Sequence, residues 1–598
     1  MNTQVEERSR TLVVLLHAYM HTAARLESVQ ALVRGAWPDA EIYCPELPAS
    51  RLSMADPNEI VAGLLTEIDR KYAQAYAQAT CYGNIVLVGH SLGALLARKL
   101  YVVACGEVEG APFEAVFKPA SADEAALVPA RPWAGCVSRI VLLAGMNRGW
   151  RVSHHLSLAN APVWSLGSLL CHVIHAFSRR WPLVFTFRRG AEFITQLRIQ
   201  WLLMRRRASR TGPSMQGDAS APAAPGSALT IQLLGSRDDM VAPEDNVDLV
   251  SGGDFVYLDV PHSGHADIID MADPIVGAGR TRAFVLALQA DSAQLRREAV
   301  VPSDERFTAP DESIERVVFV MHGIRDVGYW THKIARRIKQ RAGDRLATWA
   351  TETSSYGYFP MLPFLFPWYR RQKVEWLMDQ YTEALARYPN ASFSYVGHSN
   401  GTYLLARALE LYPCCRFDRV VFAGSVVRRS YDWRRFLDGK RPRVRGVLNF
   451  VATGDWVVAF FPKFFQFFRL QDLGSAGHDG FLLSQPDAGV SQVTYVKGGH
   501  GAAIVESVWN VIAGFVVDGR VDMDEIQPVP RRQNVLVKAL GLFPPLVWLV
   551  LIAAAYFLWQ GIAAAICLLG MAPATQAFVT GFSFALYLLL LWLVVTRV

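Results

Sequence analysis

Residues 85–93 read Ile-Val-Leu-Val-Gly-His-Ser-Leu-Gly, and an Ala/Leu-rich stretch, 94–100, follows. Four apolar β-formers, a turn and a helical pattern predict a strand, a sharp bend and a helix. Ser91 lies on the bend between Gly89 and Gly93. A serine nucleophile on so tight a turn needs small neighbours, because larger side chains would collide with the chain as it doubles back. The turn also opens a helix, whose free N–H groups favour the negative charge that grows on an attacked carbonyl. By itself Gly-x-Ser-x-Gly is a weak signal, since small residues cluster in any turn. After an apolar strand and before a helix it points to nucleophilic attack rather than to an ordinary βα turn.

The same pattern recurs at 393–401, Phe-Ser-Tyr-Val-Gly-His-Ser-Asn-Gly, with Ser399 on the bend and a helical stretch, 402–409, behind it. The two copies lie more than a domain length apart, so they predict two catalytic-type domains in tandem. On these elbows each half resembles an α/β-hydrolase-fold serine hydrolase of the esterase/lipase kind. The resemblance implies a chain order of Ser, then Asp, then His, with the acid and the base on loops after the later strands. It also implies an oxyanion hole made by two backbone N–H groups. One comes from the residue after the nucleophile, Leu92 or Asn400, and one from the loop after the first strand.

The elements that must carry these groups follow from the pattern. In the first half, an apolar run at 11–16 leads into His17-Ala18-Tyr19, where the family usually has His-Gly and a bulky residue. Alanine avoids positive φ, so Ala18 places the loop conformation, and with it the activity of this half, in question. The strand at 229–235 is followed by Ser-Arg-Asp238-Asp239, which looks like the family's acid loop. Asp238 is the candidate and Asp239 the alternative. The strand at 255–260 precedes Pro261-His262-Ser-Gly-His265, and Gly-His before a new helix selects His265 over His262. In the second half the corresponding groups are Gly323 and Ile324 after His322, then Asp455 after the strand at 447–454. His500 follows in a Gly-Gly-His turn, with His478 the alternative. The roles follow from charge flow: the acid orients the imidazole, the imidazole takes the serine proton, and the N–H pair receives the oxyanion. Because its loop keeps the glycine, the sequence ranks Ser399 ahead of Ser91. His17, His90 and His398 read as structural.

At 598 residues the chain is too long for one core. The reading divides it into 1–290, a domain with a lid-like insertion at about 146–227; 291–311, a charged linker; 312–530, a second domain; and 539–598, two transmembrane helices. No charged residue occurs from 539 to 596, enough for two spans of about 20 residues. Arg531, Arg532 and Lys538 precede them and Arg597 follows. This charge distribution predicts a hairpin anchor with both ends in the cytoplasm. The polar start, with too short an apolar run for a signal peptide, agrees with that side. The insertion mixes apolar residues with Arg179, Arg180, Arg188, Arg189, Arg198 and Arg205 to Arg207. That composition suits either a lid on an anionic membrane surface or a cap with solvated arginines. The aromatic stretch 358–369 reads equally as a site-lining or membrane-touching loop or as core, and 460–468 as lid, membrane-facing patch or core.

A net charge of +7 without a basic, aromatic-interleaved tract excludes a nucleic-acid groove. The eight cysteines form no metal spacing, and neither a metal nor a cofactor is expected. The predicted function is a membrane-anchored serine hydrolase acting on a carboxylic ester of a lipid or acyl compound, with membrane lipids as its surroundings. Protein partners are not indicated. The alternatives are a scaffold or regulator with one or both domains inactive, and a thioesterase or peptidase using the same groups.

Overall fold

The computed structural model describes residues 8–597 except 120–125, 152–170, 172–173, 176–177, 179, 212–223, 239, 242, 249–254, 301–309, 327, 440, 485–488 and 525–531. The chain forms two compact units. The first is Met1–Ala309 with Met378–Arg387 and Tyr412–Cys414; the second is Pro310–Leu377, Tyr388–Leu411 and Cys415–Val598.

In the first unit six strands, β1 (Arg8–Leu16), β2 (Glu41–Tyr43), β3 (Thr80–His90), β4 (Val137–Leu143), β5 (Leu229–Gly235) and β6 (Phe255–Val260), form one parallel sheet. Its order is β2-β1-β3-β4-β5-β6. The second unit repeats it with β7 (Arg316–Met321), β8 (Trp349–Glu352), β9 (Ser392–His398), β10 (Phe417–Ala423), β11 (Val444–Ala452) and β12 (Val490–Val496), in the order β8-β7-β9-β10-β11-β12. The fold class expected from the sequence, two tandem α/β-hydrolase-type domains followed by a C-terminal helical pair, is the one observed.

The central strands read as unbroken apolar runs because both sheet faces are covered. Side chains alternate between two cores: Leu12, Val14 and Leu16 pack into one, and Val13 and Leu15 into the other. Register brings the functional ends together. Leu16 pairs with Gly89 and His90 with Leu143 in the first sheet. Met321 pairs with Gly397 and His398 with Ala423 in the second. The residue that precedes each oxyanion loop therefore lies beside the glycine that opens each elbow.

The connection from β4 to β5, residues 144–228, contains the cap helix Glu192–Thr211. Arg198 and Arg205 on this helix are turned inward. Arg198 is fully buried, with Nε 3.0 Å from Asp248 Oδ1 and Nη1 2.8 Å from Asp379 Oδ1. Arg98, on the elbow helix Leu92–Ala104, reaches the other oxygen of Asp248 at 3.3 Å. Arg189 pairs with Asp245 and Asp379, and Arg205 donates to the carbonyls of Gly226 and Ala228. For Arg189 and Arg198 both sequence readings of the insertion, membrane-facing and solvated, give way to inward ion pairing, and Arg205 is held by backbone carbonyls. The first part of the insertion and residues 219–223 of the stretch leading back to β5 lie outside the described residues. Residues 291–300 pack onto the first unit: Asp291 caps the helix Ser292–Glu298, Leu295 is buried, and Val300 N–H donates to Tyr257 O.

Two apolar helices, Pro544–Leu568 and Pro573–Arg597, close the chain. At 1.5 Å per residue each exceeds the ~30 Å hydrocarbon thickness of a bilayer. Their side chains are largely exposed, and Tyr587 Oη donates to Ala555 O at 2.6 Å between them. By length and composition the pair can cross a membrane.

Candidate functional site

Each elbow forces a non-glycine residue into the left-handed region: φ is 53° at Ser91 and 52° at Ser399. Such a conformation persists only when the surroundings over-determine it. Here Ser91 N–H donates to Leu143 O at 2.9 Å and Ser399 N–H to Ala423 O at 3.0 Å, locking each bend to the neighbouring strand. Glycine is required on both flanks. A Cβ on Gly93 would strike Leu16 O, and one on Gly401 would lie 2.6 Å from Met321 O.

In the first half the structure brings the three predicted groups together. His265 Nε2 is 2.7 Å from Ser91 Oγ, and His265 Nδ1 is 2.9 Å from Asp238 Oδ2. A carboxylate can only accept, so Nδ1 carries the proton and bare Nε2 faces the serine hydroxyl. Asp238 Oδ1 accepts from the N–H groups of Met240 and Val241 at 3.1 and 3.0 Å. Burial opposes ionisation of Asp238, yet His265 and these N–H groups outweigh it and hold its pKa below the usual value. The alternative acid, Asp239, lies outside the described residues. His262 is exposed at φ 53°, and among the described residues it bonds through its backbone, with Ser236 Oγ and Arg280.

In the second half the acid and base meet but the relay stops there. Asp455 is fully buried, caps the helix Trp456–Phe460 through Val458 N–H, and holds His500 Nδ1 at 2.9 Å. No hydrogen bond joins His500 to Ser399. Burial pulls the His500 imidazole down, but the Asp455 carboxylate and its hydrogen bond more than reverse this and leave its pKa raised. The alternative base, His478, neighbours Asp479 and makes no bond to Ser399. The complete hydrogen-bonded chain is at Ser91, the serine that the sequence ranks second.

The oxyanion loops follow the same backbone pattern in both halves. Neither Ala18 nor Gly323 has a positive φ; the left-handed residue of each loop comes later, at Met20 (62°) and Arg325 (56°). The concern about alanine conformation therefore falls away. Gly323 matters for clearance instead, because a Cβ there would sit 2.7 Å from Ser399 Cβ and 3.2 Å from its Oγ. Gly323→Ala should slow fluorophosphonate labelling of Ser399 by about a hundred- to a thousandfold, the scale of a lost oxyanion donor. Ala18→Gly should leave Ser91 labelling unchanged. Equal labelling of Ser399 in the two proteins would show that the loop has room after all. Tyr19 is tied down by its hydroxyl, which donates to Arg51 O at 2.6 Å, and Leu92 is fully buried at the head of its helix.

Four residues have partners that the sequence did not specify. His90 Nε2 is 2.8 Å from His265 O, and His398 Nε2 is 3.2 Å from His500 O. Because a carbonyl only accepts, each donates from Nε2 and leaves Nδ1 without a partner. Burial pushes both imidazoles down to about 3, so they stay neutral and hold the loop that carries the base. Tyr356 Oη donates towards the carbonyls of His322 and Gly323, both at 2.8 Å, and accepts from Asn400 Nδ2 at 3.1 Å. The Asn400 side chain thus braces the loop, in addition to the backbone N–H expected of it. A shallow depression of about 770 Å³, lined by Asp311, Lys339, Trp349 and Tyr388, lies where β7 and β8 begin, and no candidate catalytic residue lines it. Among the described residues no cluster of His, Cys, Asp and Glu could hold a metal ion.

Comparison with known proteins agrees with this architecture. Residues 13–278 match the Alpha/beta hydrolase family. No curated protein matches the sequence. Among solved structures, the chain is similar to a phospholipase, PlaB, from Legionella pneumophila, with 12% identity and a TM-score of 0.30, covering 48% of this chain and 61% of that one. It is also similar to the lipase BlEst2 of Bacillus licheniformis in its propeptide form, with 12% identity and a TM-score of 0.28, covering 50% and 53%. A putative hydrolase from Xanthomonas campestris is covered completely, at 13% identity and a TM-score of 0.22. The chain thus spans about three-fifths and half of the first two proteins.

Proposed function

We propose that the protein is a membrane-anchored serine hydrolase that cleaves a carboxylic ester of a lipid or acyl compound. The observation that carries this reading is the continuous chain Ser91–His265–Asp238 behind a strained elbow. In the proposed mechanism His265 takes the proton of Ser91 as Oγ attacks the ester carbonyl. The N–H groups of Leu92 and of the Ala18–Tyr19 loop receive the oxyanion, and the imidazolium then protonates the departing alcohol. Water, activated by the same imidazole, releases the acid from Ser91. Ser399, Asp455 and His500 form a second site of the same kind once His500 closes on the serine, with Gly323, Ile324 and Asn400 around the oxyanion. Such contacts are often loose without substrate and tighten in the complex. The hairpin anchors the chain, and the flanking Arg531, Arg532, Lys538 and Arg597 favour a cytoplasmic position for both of its ends.

A fluorophosphonate probe followed by peptide mapping tests the chemistry. Wild type should label at Ser91, and Ser91→Ala should lose that adduct while keeping its fold. Ester turnover that survives Ser91→Ala combined with Ser399→Ala would refute the reading. The missing His500–Ser399 bond favours one second reading, in which the second domain binds an acyl compound without cleaving it; Ser399 would then stay unlabelled. If Ser399 does turn over, the raised pKa of His500 sets its pH dependence. The base acts only when neutral, so as pH falls the activity of Ser91→Ala should fail above the ordinary histidine pKa of about 6.5. A kcat/KM profile of that variant with its acid limb below this value would contradict the assignment of His500.

A further inference from the structure

The second unit carries an aromatic surface that the chemistry above does not use. Directly after Asp455 come the helices Trp456–Phe460 and Pro462–Phe468. Asp455 is fully buried, whereas Trp456 is 59% exposed and Phe467 and Phe468 are each 48% exposed. Clustered exposed rings mark a surface with a partner, and the start of the hairpin indicates which one. The Phe467 ring lies 5.2 Å from that of Phe543, and Phe461 and Phe464 flank Trp548 at 5.8 and 6.1 Å. Trp548 Nε1–H donates to Phe460 O at 2.8 Å. The aromatic helices and the first turns of Pro544–Leu568 therefore form one continuous surface where that helix begins. Aromatic rings are favoured at this level of a membrane. Arg469 directly follows Phe468, and Arg532 and Lys538 precede the hairpin; all three are exposed and carry positive charge suited to lipid phosphates.

The same surface is stitched to the site. Asn534 N–H, in the run-up to the hairpin, donates to Thr453 O at 2.9 Å, and Thr453 Oγ1 accepts from Gly498 N–H at 3.0 Å. Thr453 precedes Asp455 by two residues and Gly498 precedes His500 by two. The segment that leads into the membrane helix thus holds the loops of both the acid and the base.

We propose that the helices Trp456–Phe460 and Pro462–Phe468 lie in the bilayer interface, continuous with the hairpin, and that the Ser399 site takes its acyl substrate directly from the lipid. The inference rests on the membrane reading of the hairpin and on Ser399 as a nucleophile, and its test separates the two. The full chain is placed in phosphatidylcholine nanodiscs whose acyl chains carry a photoactivated diazirine, and the labelled peptides are mapped. Adducts should appear in 456–468 as well as in the hairpin. Adducts confined to 544–597, or none at all, would overturn the proposal, and this readout needs no catalysis. Phe467→Glu with Phe468→Glu should then lower turnover of a long-chain ester in vesicles by about tenfold or more, as expected when a buried aromatic becomes a charge. Turnover of a short-chain soluble ester by the same variant, in a Ser91→Ala background, should stay within about twofold. Parallel loss on both substrates, or on neither, would refute delivery from the bilayer.

Discussion

His265→Ala, introduced into a chain that already carries Ser399→Ala, should lower kcat/KM for a short-chain ester by about four to six orders of magnitude. Ser91 and its elbow remain in place in this protein, so the loss measures the base alone. Two features make the effect large. Ser91 Oγ has a proton acceptor at 2.7 Å in His265, and the serine is only 4% exposed, so bulk water is a poor substitute. Asp238→Asn should cost about four orders of magnitude by turning the imidazole to the wrong tautomer. Steady-state ester kinetics read both outcomes. A loss below tenfold for His265→Ala would remove it from the mechanism.

The second large effect concerns stability. Asp248 is fully buried and bridges two buried guanidinium groups, Arg98 on the elbow helix and Arg198 on the cap helix. Asp248→Ala leaves both cations without that carboxylate in a place that water does not reach. Removing one partner of a buried pair costs about 3–5 kcal/mol. For a unit of this size the melting temperature should fall on the order of 10 °C, read by calorimetry. Arg98 keeps its bonds to the carbonyl and side-chain oxygens of Asn147, at 3.1 and 3.3 Å, so the unit should still fold. A shift of 2 °C or less, about 1 kcal/mol, would mean that Asp379 and Asn147 carry the charge balance without Asp248.

The features legible in the sequence are those set by contacts close along the chain. The elbows declare themselves because glycine clearance and the strand-to-helix change both fall within nine residues. Asp238 and His265 follow because the ends of parallel strands are where such loops must lie. The partners of Arg98 and Arg198 were not legible. Asp248 is 150 and 50 residues away from them, and composition shows the charge but not the carboxylate that meets it. The glycine at position 323 was illegible for a related reason: it is required by the approach of Ser399, a residue 76 positions later, and not by backbone torsion. The four-residue strand Trp349–Glu352 has too few side chains to show a period.

The two halves repeat one strand order but not one roof. In the first, the long connection leaves after the fourth strand and spans residues 144–228; the equivalent stretch of the second half is only 424–443, and its covering helices emerge instead after the fifth strand. Closing the longer loop costs about 1 kcal/mol more than closing the shorter one, because closure entropy grows only with the logarithm of length. A whole cap can thus be gained or lost at a penalty smaller than one buried leucine. Two domains with the same strand order can differ in what covers them, and such a difference requires no change to the hydrogen-bonding frame.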